Sequence, residues 1–172
     1  MVKRWAELRR KRWVRWSIDL GVVVAIIVVA GLWQTRGHVS GSAPAFSLQT
    51  LGGKTVSLKS LEGKPVLLAF WAPWCGVCKT ESNNFSWVKK VVGERAHVLS
   101  VASSWEDVTE VQAYVAENGV DYPVLLDVER LSAQFKVEAF PTVYFLDGEG
   151  RVKRSAVGYT TTAGLVLRLL LP

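Results

Sequence analysis

The chain has 172 residues, which is long enough for one domain with its own hydrophobic core and too short for two ordinary ones. Its formal net charge of +6 lies entirely in the first 36 residues, which hold eight basic and two acidic groups, whereas the remainder carries 13 of each sign. A neutral main body lacks the basic surface that nucleic-acid binding requires, so no nucleic-acid partner is expected.

Residues 16–34 are predicted to form a single transmembrane helix. The 18 residues "WSIDLGVVVAIIVVAGLW" (16–33) are almost wholly apolar, and at ~1.5 Å per residue they cover roughly 27 Å, close to the thickness of the hydrocarbon core. Seven basic residues precede them, so residues 1–15 are predicted to be a cytoplasmic tail and the rest of the chain to lie on the outer side of the membrane. A cleaved signal peptide is the alternative, because the uninterrupted core from Leu20 to Leu32 is short enough for one.

The following residues predict an α/β domain over 45–172, joined to the membrane segment by a polar linker over 35–44. A β-hairpin extension, "FSLQTLGGKTVSL" (46–58), comes first, and the buried strand "PVLLAFWA" (65–72) then leads into a helix that opens at the cysteines. The later elements are, in order, a strand at 97–103, a helix at 106–118, a strand at 123–127, a short helix at 130–135, a hairpin of strands at 142–147 and 152–158, and a helix from Thr161. This alternation predicts a central mixed sheet with helices on both faces.

The chain has only two cysteines, Cys75 and Cys78, and three roles are open to them. A disulfide closing so small a loop removes only about 2 kcal/mol of unfolded-state entropy, which is a weak staple for a domain of this size. A structural metal site needs about four ligands, and neither His38 nor His97 has a ligand-like spacing to the pair. A Cys/Cys/His copper site stays open, provided that His97 reaches the two thiols.

The redox role explains the position of the cysteines as well as their spacing. A buried strand that ends in "WAPWC" and turns into a helix places Cys75 at a helix N-terminus, where unpaired N–H groups favour the thiolate. Cys78, one helical turn later, is placed to attack a mixed disulfide formed at Cys75. We therefore predict Cys75 as the nucleophile and Cys78 as the resolving thiol, with no metal and no dissociable cofactor required.

With "FWAPWCGVCK" (70–79) and "FPT" (140–142) the sequence resembles the thioredoxin superfamily. Over about residues 45–172 it is similar to the membrane-anchored thioredoxin-like proteins of the TlpA/ResA type. The resemblance implies a thioredoxin fold and thiol-disulfide oxidoreductase activity. It also implies that Pro141 is a cis proline lying against the disulfide, where Phe140 and its backbone can pair with an extended substrate segment.

Glu81 lies where proteins of this type often have a glutamate near the active site, and it is i+3 from Cys78 on the predicted helix. Two interpretations are open: an exposed acid that stabilises the helix start, or a carboxylate that exchanges protons with the thiols. The sequence departs from the thioredoxin pattern at Ala69, where general thioredoxins carry a buried aspartate, and at Asn83, where a proline is common. Proton transfer then falls to Glu81 or water.

The tryptophan beside the first cysteine is a further candidate. Trp74 is adjacent to Cys75 and is expected to shape the substrate surface, whereas Trp71, at the end of the buried strand, is expected in the core.

With this resemblance, the sequence as a whole predicts a monomeric protein-disulfide oxidoreductase that crosses the bacterial cytoplasmic membrane once and acts in the periplasm or extracytoplasmic space. Its partners are expected to be protein thiols and disulfides, the lipid bilayer and a membrane-bound protein that recycles the cysteine pair. Reduction is the favoured direction, for example in cytochrome c maturation or copper-site assembly. Three alternatives stay open: a disulfide-forming oxidase, a copper-binding chaperone of the same fold, and an interaction module without activity.

Overall fold

The structure is a computed structural model that describes residues 13, 16–26, 37 and 39–171. The chain divides into two units, Met1–Arg36 and Gly37–Pro172. In the first unit, residues 16–26 are helical and exposed. No helix among the described residues has the length and apolar character that a membrane crossing requires. The predicted transmembrane segment at 16–34 lies partly outside the described residues, as does most of the predicted basic tail.

The second unit contains eight strands, four α-helices and two 3₁₀ turns among its described residues. The strands are β1 (Gly41–Ser42), β2 (Ser47–Gln49), β3 (Thr55–Ser57), β4 (Val66–Trp71), β5 (His97–Ala102), β6 (Val124–Leu126), β7 (Thr142–Leu146) and β8 (Arg151–Val157). The helices are α1 (Gly76–Val92), α2 (Val108–Glu117), α3 (Leu131–Gln134) and α4 (Thr162–Leu170), and the 3₁₀ turns are Leu58–Leu61 and Gly93–Arg95.

Six of the strands form a mixed sheet in the order β1-β8-β7-β4-β5-β6, and β2 and β3 form a separate antiparallel hairpin. Strand β4 runs parallel to β5 and antiparallel to β7, so it lies inside the sheet with a neighbour on each side. All six of its residues are buried, which explains its continuous apolar sequence "VLLAFW". The end of this central strand is where the chain turns toward the cysteines.

Alternate residues of β4 enter different buried clusters, as the two-residue period of a strand requires. Leu68 and Phe70 belong to an apolar cluster that also contains residues of the β2–β3 hairpin, of the 3₁₀ turn at Leu58–Leu61 and of α3. Leu67 and Ala69 belong to a second cluster, together with the buried faces of α1 and α4. A third cluster joins Trp71 to the cysteines and to α2.

The observed elements confirm the predicted thioredoxin-type α/β architecture, including the hairpin extension, the central mixed sheet and helices on both faces. One difference concerns the predicted linker. Gly41 and Ser42 pair with the first residues of β8, and the Ala43 N–H donates to the Gly150 carbonyl at 3.0 Å. The sheet therefore begins before residue 45, within the segment that composition alone marks as a tether.

Candidate active site

The candidate active site is the Cys75–Cys78 disulfide, whose Cα atoms are 5.3 Å apart. Strand β4 ends at Trp71, and a turn closed by the Cys75 N–H and the Ala72 carbonyl at 3.1 Å then brings the chain to the start of α1. Cys75 is the N-cap residue of α1 and has an extended backbone, φ −81° and ψ 106°. The disulfide is thus anchored to the central strand on one side and to the first helical turn on the other.

The helix start provides a hydrogen-bond donor to the first sulfur. The Cys78 N–H points at Cys75 Sγ, 3.2 Å away, in the role that a serine or aspartate oxygen plays at an ordinary N-cap. A backbone donor combined with the positive end of the helix stabilises negative charge at this atom. Cys75 is 6% exposed and Cys78 2%, so Cys75 is the more accessible of the two. This order fits the predicted nucleophile and resolving thiol.

An aromatic rim stands beside the disulfide. Trp74 is 67% exposed, but its indole N–H donates to the Ser104 carbonyl at 3.0 Å, and its ring packs edge-on against Phe140 with centroids 5.8 Å apart. Trp74 is therefore held in one orientation although most of its surface faces solvent. It forms one wall of a groove of about 640 Å³, whose other lining residues are Pro73, Ser104, Trp105, Glu106 and Glu110.

The loop before β7 carries the other predicted substrate residues. The Phe140–Pro141 peptide bond is cis, as the resemblance to thioredoxins implies. Pro141 is buried and its carbonyl accepts from the Gly158 N–H at 2.8 Å, whereas Phe140 is half-buried and packs against the cluster that contains both cysteines. The structure thus brings Phe140 together with Trp74 next to the disulfide.

Glu81 is fully buried, at 0% exposure, so the interpretation of an exposed acid at the helix start is wrong. Its Oε1 accepts from the Thr160 N–H at 2.7 Å, and its Oε2 has no hydrogen-bond partner among the described residues. Burial raises the pKa of Glu81 to about 7, with the Thr160 hydrogen bond acting in the opposite direction. A carboxyl group with this pKa changes its protonation state near neutral pH, one helical turn from Cys78.

Two tyrosines share the buried region with Glu81. Burial raises the pKa of both Tyr114 and Tyr122 above the usual value, and the nearby Glu81 carboxylate acts in the same direction. Both phenols therefore stay neutral at physiological pH, so while Cys75 and Cys78 form the disulfide, Glu81 is the group of this region that titrates near neutral pH. Trp71 stacks on Tyr114 with ring centroids 3.9 Å apart and is 3% exposed, which confirms its expected place in the core.

The copper site that would combine both cysteines with His97 does not form. His97 opposes Val66 at the start of β4, whereas the cysteines follow Trp71 at its end. Five residues of strand separate these two levels by about 16 Å. No group of three metal-ligating side chains is found within the described part of the chain.

Two residues of this site escape the sequence analysis. Thr160 supplies the N–H that binds Glu81, and Asn84 Nδ2 in turn donates to the Thr160 carbonyl at 2.9 Å. Thr160 is 79 positions away from Glu81 in the chain, and a backbone donor leaves no trace in the residue type. Only the three-residue spacing of Glu81 and Asn84 on α1 is visible in the sequence.

The sequence of this chain matches the profile of a known protein family. The profile of the AhpC/TSA family matches residues 39–155, more than half of the chain. The chain belongs to the AhpC/TSA family. Thioredoxin-like protein YneN of Bacillus subtilis is 35% identical over 121 residues, covering 69% of this chain and 71% of that protein.

A second relative extends the similarity over most of the chain. Thiol-disulfide oxidoreductase ResA of Bacillus subtilis is 28% identical over 163 residues, which cover 90% of each protein. Among solved structures, a thiol:disulfide interchange protein of the thioredoxin family from Chlorobium tepidum has a TM-score of 0.68 at 28% identity. The superposition covers 76% of this chain and 94% of that structure. The predicted thiol-disulfide oxidoreductase of thioredoxin fold is confirmed.

Proposed function

We propose that this protein is a membrane-tethered reductase of protein disulfides, acting outside the cytoplasmic membrane of a bacterium. The observation that carries the proposal is the Cys75–Cys78 disulfide at the start of α1, with an exposed, fixed tryptophan beside it and a buried acid one turn below. These three features are what disulfide exchange requires: an ionisable sulfur, a surface for the substrate and a group that moves protons.

In the reductive direction, the reduced pair gives two electrons to a substrate disulfide. The Cys75 thiolate attacks one substrate sulfur, the substrate S–S bond breaks, and a mixed disulfide to Cys75 forms as one substrate thiolate leaves. The Cys78 thiolate then attacks Cys75 Sγ, which releases the second substrate thiolate and forms the intramolecular disulfide. The substrate gains two electrons and two protons, and the protein must be reduced again by a donor.

Glu81 is suited to the proton part of this cycle. Cys78 must lose its proton before it attacks, and it lies in a region that is closed to bulk water, with 2% of its surface exposed. A carboxyl group with a pKa of about 7 accepts a proton near neutral pH and returns it at little cost in free energy. We assign this role to Glu81, because Ala69 offers no carboxyl group at the position used by general thioredoxins.

The substrate is proposed to bind as an extended protein segment across Trp74, Phe140 and Pro141. Trp74 and Phe140 present an aromatic surface that is already fixed before binding, which lowers the entropic cost of recognition. Trp74 also lines the groove described above, which enlarges the surface open to a substrate. A preformed surface of this kind favours protein segments over small thiols.

The tether is proposed from the sequence of residues 16–34 and from the basic residues that precede them. With the N-terminus in the cytoplasm, the oxidoreductase domain acts on the outer side, as a monomer held close to the membrane. A membrane protein within reach of the same surface would then supply the electrons that regenerate the dithiol. Apocytochromes and copper-site proteins are the substrate classes in which cysteine thiols must be kept reduced.

Trapping the mixed disulfide tests the proposed chemistry. Full-length protein with Cys78→Ser is mixed with a disulfide-containing protein substrate, quenched with acid and analysed by mass spectrometry. We expect a covalent adduct at Cys75, because the resolving thiol is missing, and no adduct with Cys75→Ser. An adduct at neither cysteine, with both variants folded, would contradict the proposal.

A further inference from the structure

The connection between β8 and α4 is bound to α1 at the residue that contacts Glu81. Thr160 uses both of its backbone polar groups there: its N–H donates to Glu81 Oε1 at 2.7 Å, and its carbonyl accepts from Asn84 Nδ2 at 2.9 Å. Glu81 and Asn84 are three residues apart and therefore lie on the same face of α1. The backbone of Thr160 is thus held by two neighbouring side chains of α1.

Asn84 is itself fixed in orientation. Its Oδ1 accepts from the Thr162 hydroxyl at 3.2 Å while its Nδ2 donates to the Thr160 carbonyl. An amide with a donor on one end and an acceptor on the other fits in only one way. Asn84 therefore spans the start of α4 and holds residues 160–162 against α1.

The same connection is also bound to the loop with the cis proline. The Gly158 N–H donates to the Pro141 carbonyl at 2.8 Å, and Gly158 has a φ of +77°, which suits glycine. Within three residues, from Gly158 to Thr160, the connection contacts the proposed substrate loop and the buried carboxylate. A displacement of this connection at Thr160 would therefore change its contacts with both the Pro141 loop and the Glu81 carboxylate.

Glu81 depends on this contact because nothing else within the described residues donates to it. Its Oε2 has no hydrogen-bond partner among the described residues. The titratable groups near it are Tyr114 on α2, Tyr122 after α2, and Cys78, one turn earlier on its own helix. Both phenols are neutral, and in the described structure neither donates a hydrogen bond to the carboxylate. In the part of the chain that the structure describes, the Thr160 N–H thus donates the one hydrogen bond that stabilises the ionised form of this fully buried acid.

We propose that Asn84 is a positioning residue for Glu81, acting through the backbone of Thr160. The inference rests on the proposed function only in assigning a proton-transfer role to Glu81. Asn84 does not contact the disulfide. It keeps the Thr160 N–H directed at the carboxylate, and so sets how readily Glu81 ionises and at which pH the cysteine pair exchanges disulfides.

The test is a carboxyl titration of the oxidised full-length protein, with ¹³C-labelled glutamate followed by NMR. The Glu81 signal is identified by its loss in Glu81→Gln. In Asn84→Ala we expect the titration midpoint of Glu81 to rise by about one pH unit, because a charge-assisted hydrogen bond is weakened while the group stays buried. Asn83→Ala is the matched control, since Asn83 is the adjacent, exposed asparagine of the same helix. In this variant the titration midpoint of Glu81 should equal that of the wild type.

A second variant keeps the test decisive if Asn84→Ala does not fold. Thr162→Val removes only the hydroxyl that holds Asn84 Oδ1, and we expect a smaller shift in the same direction. The pH profile of disulfide exchange should move with the midpoint in Asn84→Ala, and this movement should vanish when Glu81→Gln is also present. If Asn84 had only a structural role, Asn84→Ala would change the pH profile of exchange equally with Glu81 present and with Glu81→Gln.

Two results would overturn the inference. One is an unchanged Glu81 midpoint in the variant that folds, Asn84→Ala or Thr162→Val. The other is a change of the pH profile by Asn84→Ala that persists in the Glu81→Gln background. Failure of the proposed function would look different, because the wild type would then exchange disulfides at no pH while the carboxyl titration could still be measured.

Discussion

The two faces of the central sheet are built from different chemistry. On one face, Phe70 packs against Phe135 and Tyr144 with ring centroids 5.2 and 6.0 Å away, and the Tyr144 hydroxyl donates to the Phe135 carbonyl. The other face, beneath α1, also has an apolar cluster, but it adds the fully buried Glu81, whose Oε2 has no hydrogen-bond partner among the described residues. The first face is arranged for stability, whereas the second gives up stability to place an ionisable group near the cysteines. Substitutions on the two faces should therefore affect different observables.

The largest expected effect is on activity, at the cysteines themselves. Cys75→Ser should lower the rate of protein-disulfide reduction at least ~10³-fold, because the nucleophile is lost. Its effect on the free energy of unfolding should be only about 2 kcal/mol, since the disulfide closes a very short loop. Stopped-flow assays and urea titrations of the full-length protein measure the two quantities. A variant that keeps substantial activity would mean that the pair is not the reacting group.

The next effect is on stability, at the apolar face. Phe70→Ala should destabilise the protein by about 3–5 kcal/mol, because a fully buried aromatic ring is removed from a packed cluster. Disulfide exchange should be almost unchanged at a temperature well below the midpoint of unfolding. If this variant instead changed the pH dependence of exchange, the two faces would not be separable.

Glu81→Gln should remove the pH-dependent loss of stability that the buried carboxyl group of Glu81 causes. The pKa of Glu81 in the folded protein is about 7, above the usual 4.5, so between these pH values the folded state binds more protons than the unfolded state. Stability should therefore fall by about 3 kcal/mol as pH rises from 4.5 through 7, and stay low above it. Denaturation at a series of pH values should show this loss in the wild type and not in Glu81→Gln. An equal loss in both proteins would assign the dependence to another group.

The smallest effect is expected at the solvent-exposed rim. Trp74→Ala should lower kcat/KM for a protein disulfide by about tenfold, since a fixed aromatic contact is lost, with little change toward a small aromatic disulfide. Trp87→Ala is the matched control, because Trp87 is 59% exposed on α1 and takes no part in the site. Equal effects of the two substitutions would remove Trp74 from the proposed substrate surface.

Much of the fold follows from local sequence patterns. The continuous apolar run of β4, the Gly52–Gly53 turn of the hairpin and the helix start at Cys75 are each encoded within a few residues, and the structure has all three. Strand β1 is different. It has only two residues, Gly41 and Ser42, and it forms because β8 offers an edge rather than because its own residues favour a strand.

The site is predictable only in part, because it too depends on contacts between residues far apart in the chain. Cys75 and Cys78 are recognised by spacing and context, but the depth of Glu81 is not, because the i+3 relation to Cys78 fixes a helix face and not how much protein covers it. Its partner comes from the backbone of Thr160, which the fold brings from the other end of the domain. Long-range backbone contacts of this kind depend on the packing of α4 against α1 and leave no local pattern.

The central claim is that the cysteine pair works as a reductant of protein disulfides, and its reduction potential tests this most directly. The full-length protein is equilibrated with glutathione buffers at pH 7, and the fraction of reduced protein is followed by tryptophan fluorescence. The account predicts a potential near that of thioredoxin, about −270 mV, or lower. A potential near −120 mV would contradict it, because a pair so oxidising would form disulfides in its substrates rather than reduce them.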